Sequence, residues 1–218
     1  MLIMFLLLLV GSVSFVIFYL MHRTIHFFVF QRGHPAVHRD FGTRPQKVMV
    51  ILGSGGHTAE ALCLLERMDP EKYDPVVFVL AETDTTSEAK VRATNRKSLT
   101  EIKLLKIPRS REVRQSWLST AWTTFYAIIY AFPVVYREKP NMILCNGPGT
   151  CIPVCLVAWF FTVIGYHRSI LTFVESICRV KSLSLSGKIL YFIADIFFVQ
   201  YEGLSKKYPR SVFLGRLV

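Results

Sequence analysis

A parallel, doubly wound α/β sheet preceded by one membrane-spanning helix is the architecture this sequence predicts. Three observations predict it. Leu2 to Met21 carries no charged side chain. Beyond residue 46, short apolar runs alternate with longer amphipathic ones, the rhythm of strand–helix–strand crossovers that builds a parallel sheet covered on both faces. Two of the short runs end in glycine-bearing turns, at the carboxyl ends of strands where such sheets hold ligands.

The N-terminal run is long enough to cross a bilayer as a helix, which takes about 20 apolar residues. No Lys or Arg precedes it, it is too long for the apolar core of a secretory signal, and no small-residue cleavage site follows, so a retained anchor is expected rather than a cleaved leader. Arg23, Arg32, Arg39, Arg44 and Lys47 follow it. The positive-inside rule then places the N-terminus in the lumen and the rest in the cytosol. Phe27 to Phe30 are expected at the interface, with Arg23 snorkelling beside them. Residues 1–30 are assigned to the anchor. Residues 31–46 mix Gly, Pro and charge without periodicity and read as a linker. Residues 47–218 read as one domain.

Within that domain, Lys47–Leu52 reads as a strand ending in glycines. His57–Met68 reads as a helix burying Ala61, Leu62, Leu64, Leu65 and Met68. Pro75–Leu80 is a second strand, Thr85–Arg96 a polar helix or loop, and Ile102–Ile107 a third strand stopped by Pro108. Ser116–Tyr136 is a long aromatic helix, part of whose stripe is expected in the core. Asn141–Cys145 is a fourth strand. Ile152–Ile164 is a helix packed on the sheet, and Ser169–Val174 a fifth strand. Leu183–Ala194 is a helix, and Ile196–Val199 and Val212–Leu214 are the last strands. Right-handed crossovers make the whole doubly wound.

Composition narrows the function. Of 218 residues, 52% are hydrophobic and 19% charged, so the domain is either well buried or partly membrane-associated. Beyond the anchor about 180 residues remain, enough for one core without staples. The net charge of +11 suits phosphate groups, acidic lipid surfaces or nucleic acid, and does not choose among them. The five cysteines lie among apolar residues and read as reduced core thiols, pointing to the cytosol. Cys151 and Cys155 share a helix face, but no His or second Cys pair completes a site, so no metal is expected. The absence of an N-x-S/T sequon fits a domain outside the secretory lumen.

Four segments could carry chemistry. Gly53-Ser54-Gly55-Gly56-His57-Thr58 follows a strand and opens a helix. Glycines let backbone approach an anion, and the helix N-terminus offers free N–H groups and a positive dipole end. There is no P-loop Lys, and Thr58 stands where a dinucleotide fingerprint has its third glycine. A helix N-terminus keeps His57 neutral, able to bind a phosphate or accept a proton. Alternatively, His57 or Thr58 caps the helix, with Glu60 completing a capping box. Asn146-Gly147-Pro148-Gly149-Thr150 is a second such turn, either facing the same crevice or simply a turn capped by Thr150. Glu175 and Arg179 close the fifth strand, as sugar ligand or base and phosphate partner, or as a structural ion pair. Arg109, Arg111 and Arg114 lead into a helix bearing Trp117 and Trp122, a pairing that suits a membrane interface with lipid diphosphates or RNA.

Taken together, Gly53-Ser54-Gly55-Gly56-His57-Thr58, Ile107-Pro108-Arg109-Ser110-Arg111-Glu112-Val113, Leu144-Cys145-Asn146-Gly147-Pro148-Gly149-Thr150, Val174-Glu175-Ser176-Ile177-Cys178-Arg179 and Leu214-Gly215-Arg216-Leu217-Val218 resemble the membrane-anchor subunit of the dolichol-linked UDP-N-acetylglucosamine transferase, the fourteenth member of the asparagine-linked glycosylation set. More distantly, the layout is similar to the N-terminal half of the bacterial lipid-II-forming transferase. That enzyme has a Gly-Gly-His loop, a Ser-Gly-Pro-Gly turn and a His-Glu-Gln motif in equivalent places; at the last of these only Glu175 carries over.

The resemblance implies a Rossmann-like domain equivalent to the N-terminal half of a GT-B glycosyltransferase. It implies an acceptor-binding subunit that moves N-acetylglucosamine, with inversion, to the 4-hydroxyl of N-acetylglucosaminyl-diphosphodolichol. His57 and Glu175 would be catalytic. Gly53, Ser54, Gly55, Gly56, Thr58, Asn146, Gly147, Gly149, Thr150 and Arg179 would hold the acceptor diphosphate and sugar. Arg109, Arg111, Arg114, Trp117 and Trp122 would touch lipid. The sequence ends at the last strand without a donor lobe, so a soluble UDP-N-acetylglucosamine-binding subunit is implied, contacting Gly215, Arg216, Leu217 and Val218. A larger complex with the preceding N-acetylglucosamine-phosphate transferase is open. Neither cofactor nor metal nor nucleic acid is implied, and the location is the endoplasmic reticulum membrane, single-pass, or the nuclear envelope. Two other readings stand beside this one: a pure scaffold for the soluble subunit, and a nicotinamide-dependent reductase with Glu82 on the ribose.

Overall fold

The computed structural model describes residues 1–26, 44–94, 102–112 and 115–218. Most of the linker, the interface reading of Phe27 to Phe30 and the lipid contact of Arg114 lie outside them. In chain order the elements are α1 (Leu2–His26), β1 (Val48–Ile51), α2 (Gly56–Glu66), β2 (Val76–Ala81), α3 (Thr85–Arg92), β3 (Lys103–Ile107), α4 (Trp117–Glu138), β4 (Met142–Cys145), α5 (Cys151–Ile164), β5 (Ile170–Val174), α6 (Leu185–Leu190), β6 (Ile196–Val199), α7 (Glu202–Lys207) and β7 (Val212–Phe213).

The strands form one seven-stranded sheet in the order β3-β2-β1-β4-β5-β6-β7, and every pairing is parallel. Every residue of β1, β2, β4 and β5 is buried, which is why these strands read as unbroken apolar runs rather than alternating ones. β3 lies at an edge and exposes Lys103 and Lys106, charges that discourage pairing with another chain. The order reverses between β1 and β4, so loops leaving their ends diverge and open a crevice. Ile51 pairs with Cys145, and the two glycine-bearing turns therefore leave the sheet side by side.

Two core layers flank the sheet. On one face Met49, Ile51, Ile143, Leu171 and Phe173 pack against α4, α5 and α6. On the other, Val48, Val50, Phe78 and Leu144 pack against α2 and α3, with Leu217 and Val218 of the tail beside them. α4 buries only a narrow stripe, Ala127, Ala131, Val135 and Glu138. Its aromatics stay outside: Trp117, Trp122, Phe125, Tyr126, Tyr130 and Phe132 are all exposed. The buried contact with α5 falls mainly to alanines, whose small side chains let the helices come close, while Phe132 packs edge-on against Phe161 from the rim.

α1 is long and apolar enough to cross a membrane. Arg23 donates from Nε to the Val163 carbonyl at 2.8 Å and from Nη2 to Thr162 at 3.3 Å. A guanidinium thus meets carbonyls at the C-terminus of α5, favourable to both charge and dipole. The segment left open as helix or loop is helix α3, capped by Asp84, which accepts from Ser87 N. α6 is shorter than Leu183–Ala194, starting after its Ser184 cap. α7 went unanticipated because it buries only Leu204, too little to leave a period. The cysteines divide: Cys145, Cys151 and Cys155 are core residues, Cys63 is half-buried and Cys178 is exposed, which corrects the all-core expectation.

Candidate functional site

The crevice at the switch point is built by two turns in contact. A Cβ on Gly53 would lie 2.2 Å from Pro148 Cβ, so only glycine lets the turns meet. Gly55, at φ 73°, is the N-cap of α2, and no side chain caps the helix. Its first-turn N–H groups and positive dipole end are therefore left for a ligand. The capping-box alternative does not hold, because Glu60 accepts from Ser176 Oγ at 2.8 Å. Thr58 is fully buried. Its hydroxyl bridges the Gly53 carbonyl and Ser87 Oγ, and Ser87 donates to Asp84 Oδ2. Thr58 therefore fixes the turn from behind, away from any ligand.

His57 faces the crevice in a defined tautomer. Asn146 Nδ2 donates to the Val174 carbonyl at 3.3 Å, which turns Asn146 Oδ1 toward His57 Nδ1 at 3.2 Å. An amide oxygen only accepts, so Nδ1 carries a proton, and in the neutral ring Nε2 is the acceptor nitrogen. Gly147, at φ 78°, lies under the ring: a Cβ there would stand 2.8 Å from His57 Cε1. Gly53, Ser54, His57, Arg109, Gly149 and Thr150 line a crevice of about 200 Å³ of water-accessible space. Thr150 is the N-cap of α5 but makes no capping bond. In its neutral form an imidazole so placed, next to backbone donors and arginines, can take a proton at Nε2 from a hydroxyl held beside an anion.

Glu175 is not in this crevice. It is fully buried, with Oε1 accepting from Ser176 N at 3.1 Å and Oε2 from Ser184 N at 2.8 Å and Ser184 Oγ at 3.1 Å. Burial holds its carboxyl above the ordinary range, against the pull of those hydrogen bonds and of Arg179. Its visible task is to staple the loop 176–184. Arg179, exposed on that loop, lines a second cleft of about 640 Å³ that shares Arg111, Gly147 and Gly149 with the crevice. Arg111 Cζ sits 4.5 Å over the Trp117 ring. Trp122, 71% exposed, lines neither cavity.

The tail lies elsewhere. Gly215 turns at φ 84°, Leu217 N donates to Gln200 Oε1 at 2.8 Å, and Arg216 lies over the Tyr201 ring at 5.7 Å. Leu214 and Leu217 border an apolar trough of about 330 Å³ with Leu64, Met142 and Phe198, on the α2 face of the sheet. Among the described residues, no group of three or more His, Cys, Asp or Glu could hold a metal ion.

Comparison with known proteins converges on one family. Solved structures with a similar fold include Acinetobacter baumannii MurG, at TM-score 0.58 and 15% identity, covering 79% of this chain and 45% of that one. Another is a UDP-N-acetylglucosamine 2-epimerase from Listeria monocytogenes, at TM-score 0.55 and 16% identity, covering 76% and 41%. This chain thus spans less than half of either structure, and at such identities the likeness is one of fold alone. Curated relatives are much nearer in sequence. The protein named UDP-N-acetylglucosamine transferase subunit ALG14 is 48% identical in Rattus norvegicus, over 86% of this chain and 88% of the relative. In Homo sapiens it is 46% identical over 78% and 82%, and in Schizosaccharomyces pombe 41% over 77% and 81%. The family described as oligosaccharide biosynthesis protein Alg14 like matches residues 48–217, from the first strand through both glycine turns to the tail, and the chain belongs to that family.

Proposed function

We propose that this chain is the acceptor-binding subunit of a UDP-N-acetylglucosamine transferase, the enzyme its relatives are named for. The single observation that carries the reading is the placement of His57, whose Nδ1 donates to Asn146 Oδ1, between two glycine turns that offer backbone donors to an anion. An acceptor of N-acetylglucosaminyl-diphosphodolichol type fits this arrangement. Its diphosphate lies against the turns and its sugar 4-hydroxyl toward His57. As that oxygen bonds to C1 of the incoming sugar, its proton passes to His57 Nε2. The C1–oxygen bond to UDP breaks with inversion, and UDP leaves. The donor nucleotide is bound by a soluble partner subunit, for which the apolar trough beside Leu214 and Leu217 offers a docking face. Gly215, Arg216 and Val218 flank it. α1 anchors the assembly in the endoplasmic reticulum membrane, with the basic residues that follow it on the cytosolic side.

The test is His57→Ala in the complex co-purified from membranes, assayed with a lipid-diphosphate acceptor and the UDP sugar. Loss of a general base lowers kcat by about 10²–10⁴-fold, with the partner still bound. Wild-type turnover in that variant would leave the chain a membrane scaffold for a partner that does all the chemistry.

A further inference from the structure

We infer that the cleft between α4 and α6 seats the head-proximal isoprene units of a polyprenyl diphosphate, with the Ser110 hydroxyl and the Arg111 and Arg179 guanidiniums on the diphosphate. This rests on the acceptor-binding reading and extends it to the lipid.

The cleft shares Arg111, Gly147 and Gly149 with the His57 crevice. Ser110, Glu112 and Arg179 also line it, and its walls on α4, α5 and α6 carry Phe125, Ile128, Ile152, Leu185 and Ile189, interleaved with Thr120, Thr124, Ser184 and Ser186. Its 640 Å³ is within the range of small-molecule sites. Ser110 supplies an independent sign of a ligand. It is 2% exposed, and its Oγ has no hydrogen-bond partner, a costly state for a buried hydroxyl unless a ligand completes it. The residue is fixed in place, since its carbonyl accepts from Thr123 Oγ1 at 2.7 Å and Thr124 Oγ1 at 3.3 Å. Ser110 Oγ would lie 3.3 Å from a Cβ on Gly149, so any larger residue there would crowd the buried hydroxyl. Arg111 is preset over Trp117, and a guanidinium so positioned loses little freedom on binding a phosphate.

The occupant must carry a sugar on one side of its charge and an apolar chain on the other, because the anion site lies between the His57 crevice and the apolar walls. A glycosyl diphosphate lipid has that order. The chain has somewhere to go. α5 begins at the cleft and ends where Arg23 of α1 docks. The cleft-side half of α4 exposes Trp117, Trp122, Phe125 and Ile129, apolar surface onto which the chain can run from the cleft.

The experiment compares the wild-type complex with Leu185→Asn/Ile189→Asn and with Ser110→Ala, using two acceptors: the N-acetylglucosaminyl diphosphate of a long polyprenol and the same head group as its methyl ester. Leu185 and Ile189 are partly exposed, so asparagine empties no core; Leu185→Ala/Ile189→Ala serves if the polar pair fails to co-purify with the partner. The double variant is expected to raise KM for the long-chain acceptor about tenfold, with kcat kept and the methyl acceptor unaffected. Ser110→Ala is expected to raise KM for both acceptors about fivefold. An unchanged long-chain KM, an equal rise for both acceptors, or competitive inhibition by phosphatidylglycerol vesicles would overturn the assignment. Failure of the wild-type complex to transfer to either acceptor would instead overturn the acceptor-binding reading beneath it.

Discussion

Gly147→Ala isolates the geometry on which the proposed chemistry depends. Two effects follow from the structure. The residue sits at φ 78°, a left-handed conformation that costs a residue with a Cβ about 1–2 kcal/mol. On a domain of this size that lowers Tm by about 2–8 °C. The new Cβ would also stand 2.8 Å from His57 Cε1, whereas carbon atoms rest about 3.5–4.0 Å apart. The ring must therefore move by about 1 Å, enough to break its 3.2 Å bond to Asn146. Misplacing a catalytic group by that much costs about 100-fold in rate. The control is Gly165→Ala: φ is again 78°, but the Cβ would press on the guanidinium of Arg23, Nη2 at 3.0 Å and Cζ at 3.7 Å, at the opposite end of α5 from the glycine turns. Both variants should lose similar stability by thermal unfolding of the co-purified complex, and only Gly147→Ala should lose kcat by about 100-fold in the lipid transfer assay. If its kcat stays within about threefold of wild type while the fold is intact, the His57 ring is not at the reacting centre.

Other consequences are simpler to read out. Burial holds the Glu175 carboxyl above its ordinary range, so the group favours the fold at acidic pH. That contribution is lost as pH climbs from the unfolded value of about 4.3 through the raised folded one. Glu175→Gln should flatten this slope in chemical denaturation and, by aiming an amide NH₂ at Ser176 or Ser184 N–H, cost about 1–3 kcal/mol. Its pH–rate profile should keep both limbs, with KM rising as the Arg179 loop loosens; a lost limb would restore a base role to Glu175. In the native complex, N-ethylmaleimide should modify exposed Cys178 first and spare Cys145, Cys151 and Cys155. Burial lifts the Cys145 and Cys151 thiols, and the contact with Cys145, then burial, lifts Cys155; peptide mass spectrometry reads the order. Thr58→Val should lower stability, because Gly53 and Ser87 lose the hydroxyl between them, while acceptor KM moves less than in Ser110→Ala.

The sequence by itself determined the sheet and the turns. Strands buried on both faces must be continuous apolar runs, so β1, β2, β4 and β5 were legible as Val-, Ile- and Leu-rich segments. Glycines placed directly after two of them marked where backbone approaches a ligand or another turn. It left undecided whatever depends on which side chain faces which neighbour. Nothing local distinguishes Thr58, locked behind its turn, from His57 beside it. Nor does anything local separate Glu175, spent on the Ser176–Ser184 loop, from an open carboxylate. Ser110 carried no signal of its own inside a basic motif, and its hydroxyl lies buried and unpartnered against Gly149 of a distant turn. The aromatics of α4 recur at helical spacing, as core residues do, yet its fully buried contacts come from Ala127, Ala131 and Val135, while Phe132 and Tyr136 pack at the edge of α5 and Trp117, Trp122 and Phe125 stay exposed. The physical reason is common to all of these. A run of residues sets its own backbone preference and hydrophobic period, but burial, hydrogen-bond partners and proton position are set by atoms that only the folded chain brings within a few ångströms.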